Sequence, residues 1–223
     1  METSLERFSS RQFALSEYLG VMRAIRPAAQ SWTGKRLDLS DSYISDDSGF
    51  PRAPQGYEFM AYLRHHGFPS PLLDWTQSFY IAAFFAFKSA KAEQQDVAIY
   101  SFNEYGNGTK EGSGDEATIV GVGPYVTTHE RHFRQQCRYT YCSKLLDRNY
   151  VYCCHEDAFA RGNEKQDILT KFIIPRTERS KVLERLRMMN ITAHSLFGTE
   201  ESMLETLAYQ EIETRYNQAL RDG

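Results

Sequence analysis

The spacing of apolar side chains predicts a helix near the start of the chain, followed by a long loop. Ser9 or Ser10 stands before a run whose apolar members recur every three or four residues and which stops before Pro27. These members are Phe13, Leu15, Tyr18, Leu19, Met22 and Ile25. Residues 31–55 are rich in Gly, Ser, Asp and Pro, which indicates a long surface loop.

A second helix is expected over residues 57–66, where helical spacing returns. Gly67 stands where a left-handed residue would end this helix, and two prolines follow within four residues. His65 and His66 fall in its last turn, where a helix dipole favours a positive charge. Adjacent helical residues point about 100° apart, so at most one histidine can face a given pocket. His66, which is nearer the turn, is the candidate ligand-binding residue.

A third helix, rich in alanine and aromatic residues, is predicted to begin at residues 75–78 and to reach about residue 91. Its first half is apolar on every side, so we expect it to be buried. Asp74 precedes it in an apolar context, where an unpaired carboxylate would cost several kcal/mol. Asp74 is therefore expected to cap the helix through the N–H of Thr76 or Gln77, or to orient a ligand. Both roles are compatible.

After residue 95 the spacing of apolar residues changes to the pattern that is typical of strands. Strands are predicted over residues 96–102, 117–122, 138–145, 150–154 and 168–174. The tripeptide at 147–149 indicates a hairpin turn. A helix over 179–189, a short strand over 191–194 and a helix after Thr199 complete the prediction. This order predicts an α+β fold in which a mostly antiparallel sheet packs against the buried apolar helix, with further helices at both ends.

Composition and charge narrow the class of protein. A chain of 223 residues with 41% hydrophobic and 25% charged residues is long enough to fold as one domain over residues 1–223. A net charge of −3 gives no strong signal for nucleic-acid binding. Residues 1–7 lack the apolar core of a secretory signal, and the longest apolar stretch, 79–87, is too short to cross a bilayer. A cytoplasmic protein without membrane association is therefore predicted.

The cysteines do not form a metal-binding motif. Cys137, Cys142, Cys153 and Cys154 contain no Cys-x-x-Cys spacing, and adjacent cysteines on a strand point to opposite faces. We expect free thiols packed on a strand pair and no metal site.

The sequence resembles the FRG domain family in one unusual segment. His65-His66-Gly67-Phe68-Pro69, Leu72-Leu73-Asp74-Trp75-Thr76 and Ala82-Ala83-Phe84-Phe85-Ala86 carry the resemblance. Further positions up to residue 208 extend it, so that its best-matching part is 57–208. The naming tripeptide, Phe/Tyr-Arg-Gly, does not occur in the sequence, which implies a chain that is N-terminally short, divergent or mis-started. Pro71 also stands where the family usually has arginine, and proline cannot clamp a phosphate or carboxylate.

The resemblance implies a layout similar to that of ADP-ribosyltransferases, with NAD or another nucleotide as the ligand and bacterial defence as the setting. It implies a pocket lined by His66, Asp74, Thr76, Arg131 and Gln135. Arginine and threonine would hold phosphate and ribose. Gln135 would stand where active transferases often carry glutamate.

The resemblance leaves open whether such a pocket is catalytic, because glutamine cannot act as a base. Glu130 is the other candidate catalytic residue, and a solvated basic turn is the alternative interpretation of residues 129–135. The alternative function is a non-catalytic module that contacts another protein or a nucleic acid.

Overall fold

The computed structural model describes residues 1–39, 53–88, 96–106, 110–123, 126 and 130–214. The chain divides into two compact units, which we describe separately. The mixed unit contains Met1–Trp75, Phe102–His129 and Arg138–Leu169, and the helical unit contains Thr76–Ser101, Glu130–Cys137 and Thr170–Gly223. The single domain over residues 1–223 stays a prediction.

Helices and antiparallel sheets occur together, which confirms the predicted α+β class. The helices are α1 (Ser4–Phe8), α2 (Leu15–Thr33), α3 (Tyr57–His65), α4 (Phe79–Lys88), α5 (Arg131–Arg134), α6 (His155–Phe159), α7 (Arg179–Met188), α8 (Ala193–Phe197) and α9 (Glu200–Ala208). The strands are β1 (Leu73–Thr76), β2 (Val97–Asn103), β3 (Thr118–Val122), β4 (Cys137–Leu146), β5 (Asn149–Tyr152) and β6 (Ile168–Ile174). A 3-10 turn covers Arg176–Glu178, and a π-helix covers Tyr209–Thr214.

Strand β4 is the centre of a four-stranded sheet, and β2 pairs with β6 in a second sheet. The predicted single sheet is thus two sheets in the described chain. On β4, Ser143 pairs with Thr118 of β3 and with Tyr152 of β5. Asp147 and Arg148, both with positive φ, form the two-residue turn between β4 and β5 and confirm the predicted hairpin.

The first predicted helix begins later and ends later than the sequence pattern indicates. Helix α2 starts at Leu15, because the Glu17 carboxylate accepts from the Ala14 N–H at 2.9 Å. It also continues through Pro27 to Thr33, so the predicted end before Pro27 is wrong. Pro27 has no N–H to donate to the carbonyl of Arg23. Arg23 is exposed, so water can bond this carbonyl instead.

The segment that carries the family resemblance is anchored by the N-terminal helices. Gly67 adopts φ +81° after α3, which confirms the predicted left-handed end of this helix. Ser70 is fully buried; its N–H donates to the Ser4 hydroxyl at 3.0 Å, and its carbonyl accepts from the Leu5 N–H at 3.1 Å. The Tyr18 hydroxyl donates to the Pro69 carbonyl at 2.7 Å. Residues 1–18 therefore hold the turn that leads into β1.

The predicted loop at 31–55 lies partly outside the described residues. Residues 31–33 belong to α2, whereas residues 34–39 and 53–56 carry neither helix nor strand. Residues 40–52 are outside the described chain, as are residues 89–91 of the predicted third helix.

Only one face of helix α4 contributes to the core of the helical unit. Its buried residues pack with β2, α7 and α8, and the cluster consists of Ile81, Ala83, Phe84, Phe87, Val97, Ile99, Leu183, Leu186, Ala193 and Leu196. Phe79 and Tyr80 are each 54% exposed, so the expectation that the first half is buried on every side is wrong.

The prediction of a short strand over residues 191–194 is also wrong. Thr192 caps α8 by accepting from the Ser195 N–H at 3.2 Å. The cap satisfies a helix-terminal donor that a strand would not present. The predicted helix after Thr199 is confirmed as α9.

Candidate functional site

Asp74 lies on strand β1 and pairs with an arginine of α3. The Asp74 Oδ2 and the Arg64 Nη2 are 2.6 Å apart. Desolvation raises the pKa of Asp74, and the Arg64 and Arg7 guanidinium groups act against that shift. Helix α4 begins only at Phe79, so the prediction that Asp74 is its N-cap is wrong. The Asp74 side chain is 43% exposed and is paired with Arg64, so this carboxylate is accommodated without capping a helix.

His66 is the C-cap of α3 and is exposed, with its ring centroid 4.3 Å from that of Tyr62. It belongs to the mixed unit, as does Asp74. The other three predicted ligand-binding residues belong to the helical unit.

Thr76 and Gln135 lie together in the helical unit. The Thr76 hydroxyl donates to the Gln135 carbonyl at 2.8 Å and accepts from the Ser78 N–H at 3.1 Å, just before α4. The Gln135 Nε2 donates to the Leu196 carbonyl at 3.1 Å, next to the C-terminus of α8. Both side chains therefore hold elements of this unit together.

Arg131 stacks on an aromatic ring that a lysine also contacts. The Arg131 guanidinium lies 5.5 Å from the Phe197 ring centroid, and the Lys88 Nζ lies 4.5 Å from it. These cation–π contacts position the last residue of α8 against α5 and α4. Glu130, the second candidate catalytic residue, is exposed and pairs with Arg134 at 2.9 Å.

A cavity of about 260 Å³ opens in the helical unit between α4, α7, α8, α9 and the π-helix. Its apolar wall consists of Phe84, Leu183, Ile191, Ala193, Ala208, Tyr209 and Ile212. Its charged residues are Lys88, Arg179, Arg187, Glu205 and Glu213. None of the five predicted ligand-binding residues lines it, and their role in ligand binding stays a prediction.

Two of the three cations of this cavity, Lys88 and Arg179, are less exposed than their acidic partners. Lys88 is 2.8 Å from Glu205, and its side chain is 28% exposed against 46% for the glutamate. Arg179 is 2.5 Å from Glu213, with 23% and 44% exposed. Desolvation raises the pKa of Tyr209, over whose ring the Arg179 guanidinium lies at 5.8 Å. The wall thus contains two cations whose paired carboxylates are the more exposed members of each pair.

The sequence contains only a weak signal for this cavity. Arg179, Leu183 and Arg187 recur every four residues on α7 and so share one helix face. That spacing is common on ordinary surface helices, and it cannot show which residues of α9 and the π-helix face them.

A hydrogen-bond network in the mixed unit joins β1, β4 and α6. The Trp75 Nε1–H donates to the Thr140 Oγ1 at 2.9 Å, and the Thr140 Oγ1 lies 2.9 Å from the His155 Nε2. His155 is fully buried, and its Nδ1 has no hydrogen-bond partner among the described residues. Burial, helped by the N-terminal ammonium, lowers the pKa of His155 to about 4.

This histidine should make stability depend on pH. The folded state keeps His155 neutral to about pH 4, whereas an unfolded imidazole takes up a proton near 6.5. We therefore expect the free energy of unfolding to fall as the pH decreases through this window. In His155→Leu the slope of the unfolding free energy against pH should decrease by the amount that corresponds to about one proton per molecule. Urea unfolding at several pH values measures this slope. An unchanged slope would contradict a neutral buried imidazole.

Residues 1–95 match the family model of the FRG domain. This range contains the segment 65–76 and confirms the predicted resemblance there, whereas the predicted extension to residue 208 lies outside the match. No curated protein and no solved structure matches the chain. Among the described residues, no helix has both the length and the hydrophobicity of a membrane span.

Proposed function

We propose that this chain, with its FRG domain match, binds a small anionic ligand of the nucleotide class, such as NAD, in the cavity of the helical unit. The observation that carries the proposal is the pairing of Lys88 and Arg179 with the more exposed Glu205 and Glu213, beside an apolar wall. Ligand sites of this kind combine an apolar lining with a few converging charges. The mixture suits a molecule with a flat apolar body and a negative group.

The cavity volume limits which part of the ligand is enclosed. About 260 Å³ is at the small end of ligand sites, so the cavity holds one nucleotide moiety of a dinucleotide. The base packs against Phe84, Leu183 and Tyr209, and the rest of the ligand extends toward solvent.

Phosphate oxygens replace the glutamate carboxylates at the two cations. A guanidinium presents parallel N–H donors to phosphate as it does to carboxylate. Arg179 contacts Glu213 through Nη1 at 2.5 Å and Nη2 at 3.5 Å, and its Nε donates to the Phe87 carbonyl at 3.2 Å. The bond to Phe87 keeps the guanidinium in place when Glu213 leaves.

The proposal is for binding without transfer of ADP-ribose. Transfer at the predicted catalytic residues would need a carboxylate at the developing positive charge, whereas Gln135 lies outside the cavity and its amide is bonded to Leu196. The carboxylate of Glu130 pairs with Arg134. We expect no release of nicotinamide when the full chain is incubated with NAD, and turnover would show that transfer occurs.

Two substitutions at one ion pair should shift nucleotide affinity in opposite directions. In Arg179→Met the affinity for ADP and NAD should fall at least about tenfold, because a charge-assisted phosphate contact is lost. In Glu213→Gln the affinity should rise, because the competing carboxylate is gone. Calorimetric titration of the folded variants measures both.

Lys181→Met is the matched control, since Lys181 lies on the same helix and pairs with Glu178 away from the cavity. It should leave affinity unchanged. If neither ADP nor NAD binds the wild type, the nucleotide proposal is wrong and the non-catalytic interaction module is the remaining hypothesis. If both Arg179→Met and Glu213→Gln weaken binding equally, the pair has a structural role only.

A further inference from the structure

Two buried cysteines of the mixed unit face each other across neighbouring strands. Ser143 pairs with Tyr152 in the antiparallel register of β4 and β5, so the next pair is Cys142 opposite Cys153. The Cys153 N–H donates to the Cys142 carbonyl at 3.0 Å, and the two Sγ atoms are 3.4 Å apart. Opposed antiparallel residues have Cα separations within the range that a disulfide spans.

A second cavity gives access to one of these thiols. It has a volume of about 220 Å³ and lies in the mixed unit, with Cys153 and Cys154 in its lining beside Phe13, Pro71 and Tyr152. Cys142 does not line it and is 1% exposed. A small reagent in this cavity would therefore meet Cys153 before Cys142.

We propose that Cys142 and Cys153 form a reversible redox site that low-molecular-weight disulfides oxidise through this cavity. In the first step the Cys153 sulfur attacks the reagent disulfide, which gives a mixed disulfide on Cys153 and releases one reagent thiol. In the second step the Cys142 sulfur attacks the Cys153 sulfur and displaces the second reagent thiol, which carries away the Cys142 proton. Two protein thiols are thus oxidised to one disulfide while one reagent disulfide is reduced to two thiols.

The surroundings determine the order and the rate of these steps. The hydrogen bond to Cys153 and burial both raise the pKa of Cys142, so this thiol is a poor first nucleophile. Once Cys153 carries the reagent, its sulfur is an electrophile already adjacent to Cys142. Cys154 is partly exposed, and burial raises its pKa as well. Oxidation should be slow and should end at the cross-strand pair.

Incubation of the full wild-type chain with cystamine, a small disulfide, tests this proposal. After quenching and denaturation, four free thiols should fall to two, and peptide mapping should link Cys142 to Cys153. Dithiothreitol should restore all four. Retention of four thiols, or a link that involves Cys137 or Cys154, would overturn the proposal.

Single variants separate the two chemical steps. Cys142→Ser should stop at the mixed disulfide on Cys153, because the second nucleophile is absent. Cys154→Ser is the matched control and should still form the link between Cys142 and Cys153. Loss of the link in Cys154→Ser would show that Cys154 is the attacking thiol and would contradict the mechanism.

Discussion

Phe87→Ala is expected to destabilise the helical unit by about 3–5 kcal/mol. Phe87 is fully buried in the cluster that joins α4 to β2, α7 and α8, so its removal leaves a cavity there. Unfolding in urea, followed by far-ultraviolet circular dichroism, measures the loss. Tryptophan fluorescence is less suitable, because both tryptophans, Trp32 and Trp75, belong to the mixed unit.

Phe85→Ala is the matched control on the same helix. Phe85 is 37% exposed, so its truncation removes less buried surface and should cost clearly less than that of Phe87. Equal losses for the two variants would contradict the assignment of the buried face of α4.

Lys110→Met is expected to destabilise the mixed unit by roughly 3 kcal/mol, because it leaves a buried carboxylate without its counter-charge. The Lys110 Nζ is 2.7 Å from Asp167 and 3.2 Å from Glu104, and it also donates to the Ile119 carbonyl. The Asp167 side chain is 5% exposed. Burial raises the pKa of Asp167, and Lys110 opposes this, so the variant should raise the pKa further.

Acid should therefore rescue Lys110→Met in part. When the pKa of a carboxyl is higher in the folded than in the unfolded state, its contribution to stability is present at low pH. This contribution is lost as the pH rises through the folded-state pKa. The loss should be smaller at mildly acidic pH than at neutral pH, as measured by tryptophan fluorescence in urea.

A double variant tests the pairing itself. Asp167 has φ +53°, a conformation that asparagine tolerates well, so Asp167→Asn adds little backbone strain. Lys110→Met with Asp167→Asn should be more stable than Lys110→Met alone. Additive losses would show that the two side chains do not interact.

The elements that follow from local chemistry could be predicted from the sequence. Gly67 ends α3 because a left-handed residue is needed there, and the two-residue turn at 147–148 joins two strand-like runs. Pro27 does not end α2, because the hydrogen bond that it removes would involve the carbonyl of Arg23, an exposed residue that water can reach. Residues 73–76 form a strand because β4 supplies their partner, which no local pattern shows.

The candidate site could be predicted only in part. Thr76, Arg131 and Gln135 are brought together in the helical unit, but their side chains bind protein groups. The cavity that we propose as the ligand site combines residues of five helices. Its assembly depends on how α9 and the π-helix pack on α4 and α7, which is tertiary information.

Photolabelling with an azido-substituted ADP locates the bound base in the full chain. We expect the label on peptides of the helical unit that carry Leu183 or Tyr209, and we expect unlabelled NAD to compete for it. A label confined to peptides of the mixed unit, or one that NAD does not displace, would contradict the proposed nucleotide site.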